Sequence, residues 1–116
     1  MQIEDFVFGS IRIDGITHEH DVVIEDGEIR KCKKEASKKF REEFGHTPLS
    51  VDEDIPWNCR RLVIGTGAYG KLPVMTKVKK EGERRKVELV IVPTAKAIEE
   101  LRRNTRGTNA ILHATC

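Results

Sequence analysis

The stretch Gly65-Thr66-Gly67-Ala68-Tyr69-Gly70-Lys71 gathers the residue types that hold an anion. Glycine lets backbone approach a ligand, Thr66 offers a hydroxyl and Lys71 a charge. The stretch follows an apolar run and precedes a helical pattern, a junction whose free amides and positive helix end suit a negative group. It is not a P-loop, because Leu72 follows Lys71 where Ser or Thr is required. Its glycines do satisfy Gly65-x-Gly67-x-x-Gly70. A dinucleotide fold also wants an acid about 20 residues on, at the end of the next strand. That strand ends at Val92-Pro93-Thr94, with Glu88 inside it. If the strands ending at Gly65 and at Pro93 are parallel neighbours, Thr94 joins Gly65, Thr66, Gly67, Tyr69 and Lys71 around one crevice. Those six residues are the candidate site for a small anionic or nucleotide ligand. The competing reading is a tight turn, with Thr94 only capping a helix.

Other groups are weaker. His18 and His20 share a face if their segment is a strand, but zinc needs three or four convergent ligands and no partner cluster is visible. Cys32, Cys59 and Cys116 are widely spaced, with no CxxC pair, so they read as reduced structural thiols rather than a zinc ribbon or redox motif. A nucleophilic thiol needs a cation or a helix N-terminus nearby. Arg60 and Arg61 adjoin Cys59, and His113 precedes Cys116 by three residues. No Ser–His–Asp arrangement is legible. The basic run Lys77, Lys79, Lys80, Arg84, Arg85, Lys86 is broken by Glu81 and Glu83, and no aromatic interleaves it, so nucleic-acid stacking is not expected. No catalytic residue, metal or cofactor is assigned.

These groups have to be positioned by a β-rich start followed by alternating elements. Phe6-Val7-Phe8 and Ile11-Arg12-Ile13 are short apolar segments punctuated by Gly9 and Gly15. Asp26-Gly27 between Asp21–Glu25 and Glu28-Ile29-Arg30 predicts a type I′ hairpin. Ala36, Phe40 and Phe44 at a spacing of four predict one face of a helix over 33–44, closed by Gly45. Residues 46–56 read as a loop. Arg61–Ile64 is a buried strand. Leu72, Met75 and Val78 suggest a helix with Pro73 in its first turn and Gly82 at its end. Lys86–Val92 is apolar on both faces, which predicts a central strand. Thr94 precedes a helix from Ala95 to about Arg103, with Arg102 and Arg103 favouring its dipole. Ala110–His113 is a final strand. Alternating β and α elements argue for a parallel core sheet covered by helices. The expectation is a compact three-layer α/β fold in one domain over 1–116, with a mixed central sheet and a β-rich N-terminal segment.

Charge is well mixed: 34% of residues are charged, yet the net is only +2, too little to imply a nucleic-acid binder. One Gln and three Asn beside many Lys, Arg and Glu match a thermophile composition. The N-terminus lacks the apolar stretch of a signal peptide, and no apolar run approaches the roughly 20 residues of a membrane span. A cytoplasmic setting is expected.

Trp57-Asn58-Cys59 leading into Leu62-Val63-Ile64-Gly65-Thr66-Gly67, then Pro93-Thr94-Ala95-Lys96-Ala97, then Leu112-His113-Ala114-Thr115-Cys116, resembles the adipogenesis-associated Mth-type domain family. That family includes a mitochondrial complex I assembly factor. The resemblance spans nearly the whole chain. It implies a three-layer α/β fold around a mixed sheet and no established chemistry. It points to a non-enzymatic interaction or assembly module with a protein partner. The segment past Leu101 departs from the assembly-factor branch.

Overall fold

The computed structural model describes residues 2–45, 47–103 and 105–115. The N-terminal apolar segments form three antiparallel strands, β1 (Ile3–Val7), β2 (Ser10–Ile13) and β3 (Ile16–His18), in one small sheet. Then come β4 (Val22–Glu25) and β5 (Glu28–Lys31), joined at Asp26 (φ 52°) and Gly27 (φ 80°). Two successive positive φ values are what the expected type I′ hairpin needs.

A 3-10 turn over Glu35–Phe40 runs into the short α1 (Arg41–Phe44), which Gly45 ends at φ 76°. The expected face of Ala36, Phe40 and Phe44 does not form. Ser37 is the buried residue, while Ala36 and Phe44 are exposed. At three residues per turn, a spacing of four no longer stays on one side.

The second half supplies β6 (Arg61–Gly65), α2 (Thr76–Arg84), β7 (Glu88–Val92), α3 (Thr94–Arg103) and β8 (Thr108–Leu112). Pro73 lies before α2 rather than in it. Its carbonyl accepts the Leu49 amide (2.9 Å), and the Leu49 carbonyl accepts the Met75 amide (3.0 Å). That pairing holds residues 73–75 extended. Gly82 sits inside α2, not at its end. A Cβ there would lie 2.9 Å from Leu89 Cδ1, so the glycine lets α2 approach β7.

The larger sheet has the order β5-β4-β8-β6-β7. β8 and β7 run parallel to β6, and β4 and β5 extend the sheet antiparallel beyond β8. Here the expectation for Lys86–Val92 fails: β7 is an edge strand. Its Leu89 and Ile91 pack with the α2 side and its Val90 and Val92 with the α3 side. An edge strand covered on both faces carries the same continuous apolar pattern as a central one, so sequence pattern alone cannot separate them. The central strand is β8, buried at all five positions. Its Asn109 is satisfied on both sides: Nδ2 donates to the Pro56 carbonyl (3.0 Å) and Oδ1 accepts the Asp26 amide (2.9 Å).

Three layers result. On one face, Val22, Ile24, Val63, Ala110 and Leu112 pack against Ile3, Ile11 and Ile13 of the small sheet and Ala97, Ile98 and Leu101 of α3. On the other, Val23, Leu62, Ile64 and Ile111 meet Leu49, Ile55, Leu72 and Val78. No helix among the described residues is long and apolar enough to cross a membrane.

Candidate functional site

One row of residues crosses the five-stranded sheet in register: Val92, Gly65, Leu112, Val22 and Lys31. At this row β6, β7 and β8 end, β4 begins and β5 ends. The chain just beyond it therefore converges at one end of the molecule: Thr94, Thr66-Gly67, His113-Ala114, Asp21 and Cys32.

Thr94 is the knot of this end. Its side chain is fully buried. Oγ1 accepts the Gly67 amide (2.9 Å) and donates to the His113 carbonyl (2.7 Å), so one hydroxyl joins the ends of three strands. Residue 65 must be glycine for this to fit, because a Cβ there would lie 2.8 Å from Thr94 Oγ1 and 3.1 Å from Thr94 Cα. The Gly65 carbonyl accepts the His113 amide (3.0 Å) and lies 2.8 Å from His113 Nδ1, which therefore carries the proton.

His113 is almost entirely buried. Burial pulls its imidazole down to about 4, against the opposing field of Asp21, so the ring is neutral at pH 7. Asp21 accepts the Ala114 amide through Oδ1 (2.6 Å) and pairs with Lys34 through Oδ2. Burial works against its charge, but His113, Lys34 and the Ala114 amide outweigh it and hold the carboxyl below its ordinary range. A hollow of about 370 Å³ opens beside this pair, lined among others by Gly9, Lys34, Ala114 and Thr115.

The structure thus brings Gly65, Thr66, Gly67 and Thr94 together, as the sequence anticipated. The amides of Thr66, Gly67, Ala68, Gly70 and Leu72 are occupied by the protein itself. Thr66 donates to the Val92 carbonyl, Ala68 to Thr115, Gly70 to Gly67 and Leu72 to Thr66. The helix does not follow the glycines directly: α2 starts at Thr76, five positions past Lys71. Lys71 is exposed, and Tyr69 stands at the loop tip with 68% of its surface open. Its ring lies 5.7 Å from that of Phe8, at the β1–β2 turn, which is 58% exposed. Val7 beside it is 57% exposed. Both loops are tied to the C-terminal segment: Gly9 donates to the Ala114 carbonyl (2.7 Å) and Ala68 to that of Thr115 (3.1 Å).

The remaining candidates fall elsewhere. His18 and His20 lie with ring centroids 5.6 Å apart. His18 Nε2 is buried without a hydrogen-bond partner, and His20 Nδ1 lies 2.9 Å from the Asp21 carbonyl. Among the described residues, no group of three His, Cys, Asp or Glu is placed to hold a metal. Burial, with Glu53 beside it, pushes the Cys32 thiol up to about 12, and burial also raises Cys59. Both are free and protonated at neutral pH; Cys116 lies outside the described residues. The basic run of α2 is exposed, and Glu81 pairs with Arg84 and Arg85.

Sequence reasoning missed the Phe8–Tyr69 pairing and the roles of Asp21 and His113. A signal for the first was present: Phe6-Val7-Phe8 is three apolar residues in a row, and a strand covered on one side cannot bury all of them.

No curated protein matches the chain. Among solved structures, the conserved hypothetical protein PH1505 from Pyrococcus horikoshii OT3 is 30% identical, with all of both chains covered and a TM-score of 0.83. The protein MT938 is 25% identical over 99% of this chain and 98% of its own, with a TM-score of 0.71. A Bordetella pertussis protein described as a Mth938-like domain shares the fold at 16% identity, with a TM-score of 0.63 over 97% of this chain and 85% of its own. A family model described as "Protein of unknown function (DUF498/DUF598)" matches residues 3–103, and the chain belongs to that family.

Proposed function

We propose that this chain is a non-enzymatic protein-interaction or assembly domain that docks a partner at the end of the sheet carrying Phe8 and Tyr69. The observation that carries the reading is the aromatic pair itself. Two rings from separate elements meet while each stays more than half open to solvent. Covering about 100 Å² of each ring would contribute roughly 2–3 kcal/mol apiece, the scale at which a few aromatic side chains dominate an interface. The adjoining hollow beside Lys34 and Asp21 offers polar groups for the rim.

The support from chemistry runs the same way. Thr94 and His113 spend their polar groups on holding strand ends together, and the described thiols are protonated. On this reading Gly65, Thr66, Gly67 and Thr94 build the platform that presents Tyr69, and no cofactor is needed. The resemblance to the adipogenesis-associated Mth-type domain family, with its complex I assembly factor, supports an assembly role. We place the domain in the cytoplasm.

Affinity capture of the native protein from its own cells, beside a Phe8→Ser/Tyr69→Ser variant, tests this. The expected result is a stoichiometric protein partner bound by the wild type and lost from the variant, whose unfolding midpoint is unchanged. Equal capture by both refutes the docking surface. A stoichiometric metabolite in place of a protein, with phosphate-induced shifts at the Gly65, Thr66, Gly67 and Thr94 amides that Lys71→Ala abolishes, would favour an anion-binding loop instead.

A further inference from the structure

The open edge of β7 lacks the devices that guard the other sheet edges. β5 carries Glu28, Arg30 and Lys31, β1 is interrupted by a register shift between Ile3 and Asp5, and β3 has three residues. Charges, bulges and shortness each keep an edge from pairing with another strand. β7 runs Leu89-Val90-Ile91-Val92 with no charge and no register shift, and all four residues are partly open. Its alternate residues face β6: the Glu88 amide donates to the Arg60 carbonyl (2.9 Å), and the Val92 carbonyl accepts the Thr66 amide (2.9 Å). Leu89 and Ile91 therefore turn their amides and carbonyls away from the sheet. Among the described residues no strand lies beyond them.

The flank of α2 above this edge is charged. Val78 and Gly82 form the inner face of the helix, and a Cβ on Gly82 would stand 2.9 Å from Leu89 Cδ1. Glu81 lies on one flank, paired with Arg84 and Arg85. Arg85 lies 5.5 Å over the Trp57 ring and shares a hollow with Glu25 of β4, so that flank looks inward across the sheet. At about 3.6 residues per turn, Lys79 and Glu83 fall on the other flank, which looks over the open edge. Both are exposed, and neither makes an ion pair among the described residues.

We infer that a second copy of this chain pairs antiparallel along β7, about a two-fold axis at Val90. Leu89 then exchanges both backbone bonds with Ile91 of the second copy, Ile91 does so with its Leu89, and Val90 meets its own counterpart. Lys86 (φ 58°) and Pro93 bound the strand, which limits the pairing to this short register. Leu89 and Ile91 of both copies line the α2 side of the joined sheet, and Val90 and Val92 the α3 side. The charges fit the same axis. One strand step from Leu89 to Val90, about 3.3 Å, spans about two residues of the antiparallel α2, so the axis crosses the helix near Lys80. Lys79 lies one residue to one side of it and Glu83 three to the other. The two-fold therefore brings Lys79 of one copy level with Glu83 of the other, to within about 3 Å along the helix, and does so twice. A foreign strand would match the backbone edge but not this reciprocal pair of charges.

The test is sedimentation velocity of the full chain over a concentration series of about 1–500 µM, with amide hydrogen exchange read by NMR at both ends of it. A monomer–dimer equilibrium is expected, in which exchange at Leu89 and Ile91 slows as the dimer fills while the Glu28–Lys31 amides are unchanged. Lys79→Glu leaves only carboxylates on that flank and should raise the dimer Kd about tenfold, as should Glu83→Lys, which leaves only cations. An equimolar mixture of the two variants should recover the wild-type Kd as a heterodimer, since each supplies the charge the other lacks. Both positions are exposed, so thermal unfolding of each dilute variant should match the wild type. The inference is overturned if the chain stays monomeric throughout, or if a dimer forms while Leu89 and Ile91 exchange as in dilute protein. It is equally overturned if both charge reversals keep the wild-type Kd, or if the mixture associates no more tightly than each variant alone.

Discussion

Removing the Thr94 hydroxyl while keeping its shape tests the knot that holds the strand ends together. In Thr94→Val the side-chain volume is retained, so packing against Gly65 changes little. The Gly67 amide then loses its acceptor and the His113 carbonyl loses a donor, both in a buried setting. An unsatisfied buried donor costs about 1–3 kcal/mol, and a carbonyl short of one bond costs less. The expected loss is therefore about 2–4 kcal/mol, against about 1 kcal/mol for Thr94→Ser, which keeps the hydroxyl and drops a methyl. Equilibrium urea unfolding measures both, with the slope checked for constancy. If Val lies within about 0.5 kcal/mol of the wild type, or Ser is as damaging as Val, the hydroxyl does not tie the strand ends and the reasoning fails.

Three further outcomes follow from the same structure. Because burial holds His113 near 4 in the folded chain and it titrates near 6.5 when unfolded, its neutral form stabilises the fold above pH 6.5. That stability is lost as pH falls towards 4, about 3 kcal/mol in all at ~1.4 kcal/mol per pH unit. Glu53, raised by burial, works in the opposite sense, its contribution being lost as pH rises through its folded pKa. A His113 imidazole that titrates by NMR near 6.5 in the folded protein would contradict the assignment. Leu62→Ala, at a fully buried central position, should cost about 3–5 kcal/mol. Leu89→Ala, partly buried on the edge strand, should cost about half that, and equal losses in urea unfolding would contradict the edge placement. Gly65→Ala should cost at least about 1–3 kcal/mol by driving a methyl into Thr94, and a neutral unfolding midpoint would show that the strand ends can separate freely.

Local chemistry made much of this architecture legible. Asp26-Gly27 marked its hairpin, Gly45 its helix end, and the neighbouring strand ends put Thr94 beside Gly65 and Gly67. What was not legible depended on partners distant in sequence. Leu89–Val92 reads the same at an edge as at a centre. Ala36, Phe40 and Phe44 promised a helical face that a 3-10 turn, anchored by Ser37 on Ser50 and Glu53, replaced. The bond from the Ala114 amide to Asp21, beside His113, joins residues 93 positions apart, and no spacing rule reaches that far. The same holds for Phe8 and Tyr69, which meet across two loops that both bond to the segment after β8.

The docking claim is tested most directly by placing a photo-activated cross-linking amino acid at position 69 and, as a control, at Glu28, an exposed residue at the opposite end of the sheet. Irradiation in the protein's own cells should give one discrete adduct from position 69, absent from position 28 and lost when Phe8→Ser is added. No adduct at 69, or the same adducts from both positions, would contradict a protein-binding surface at this end of the molecule.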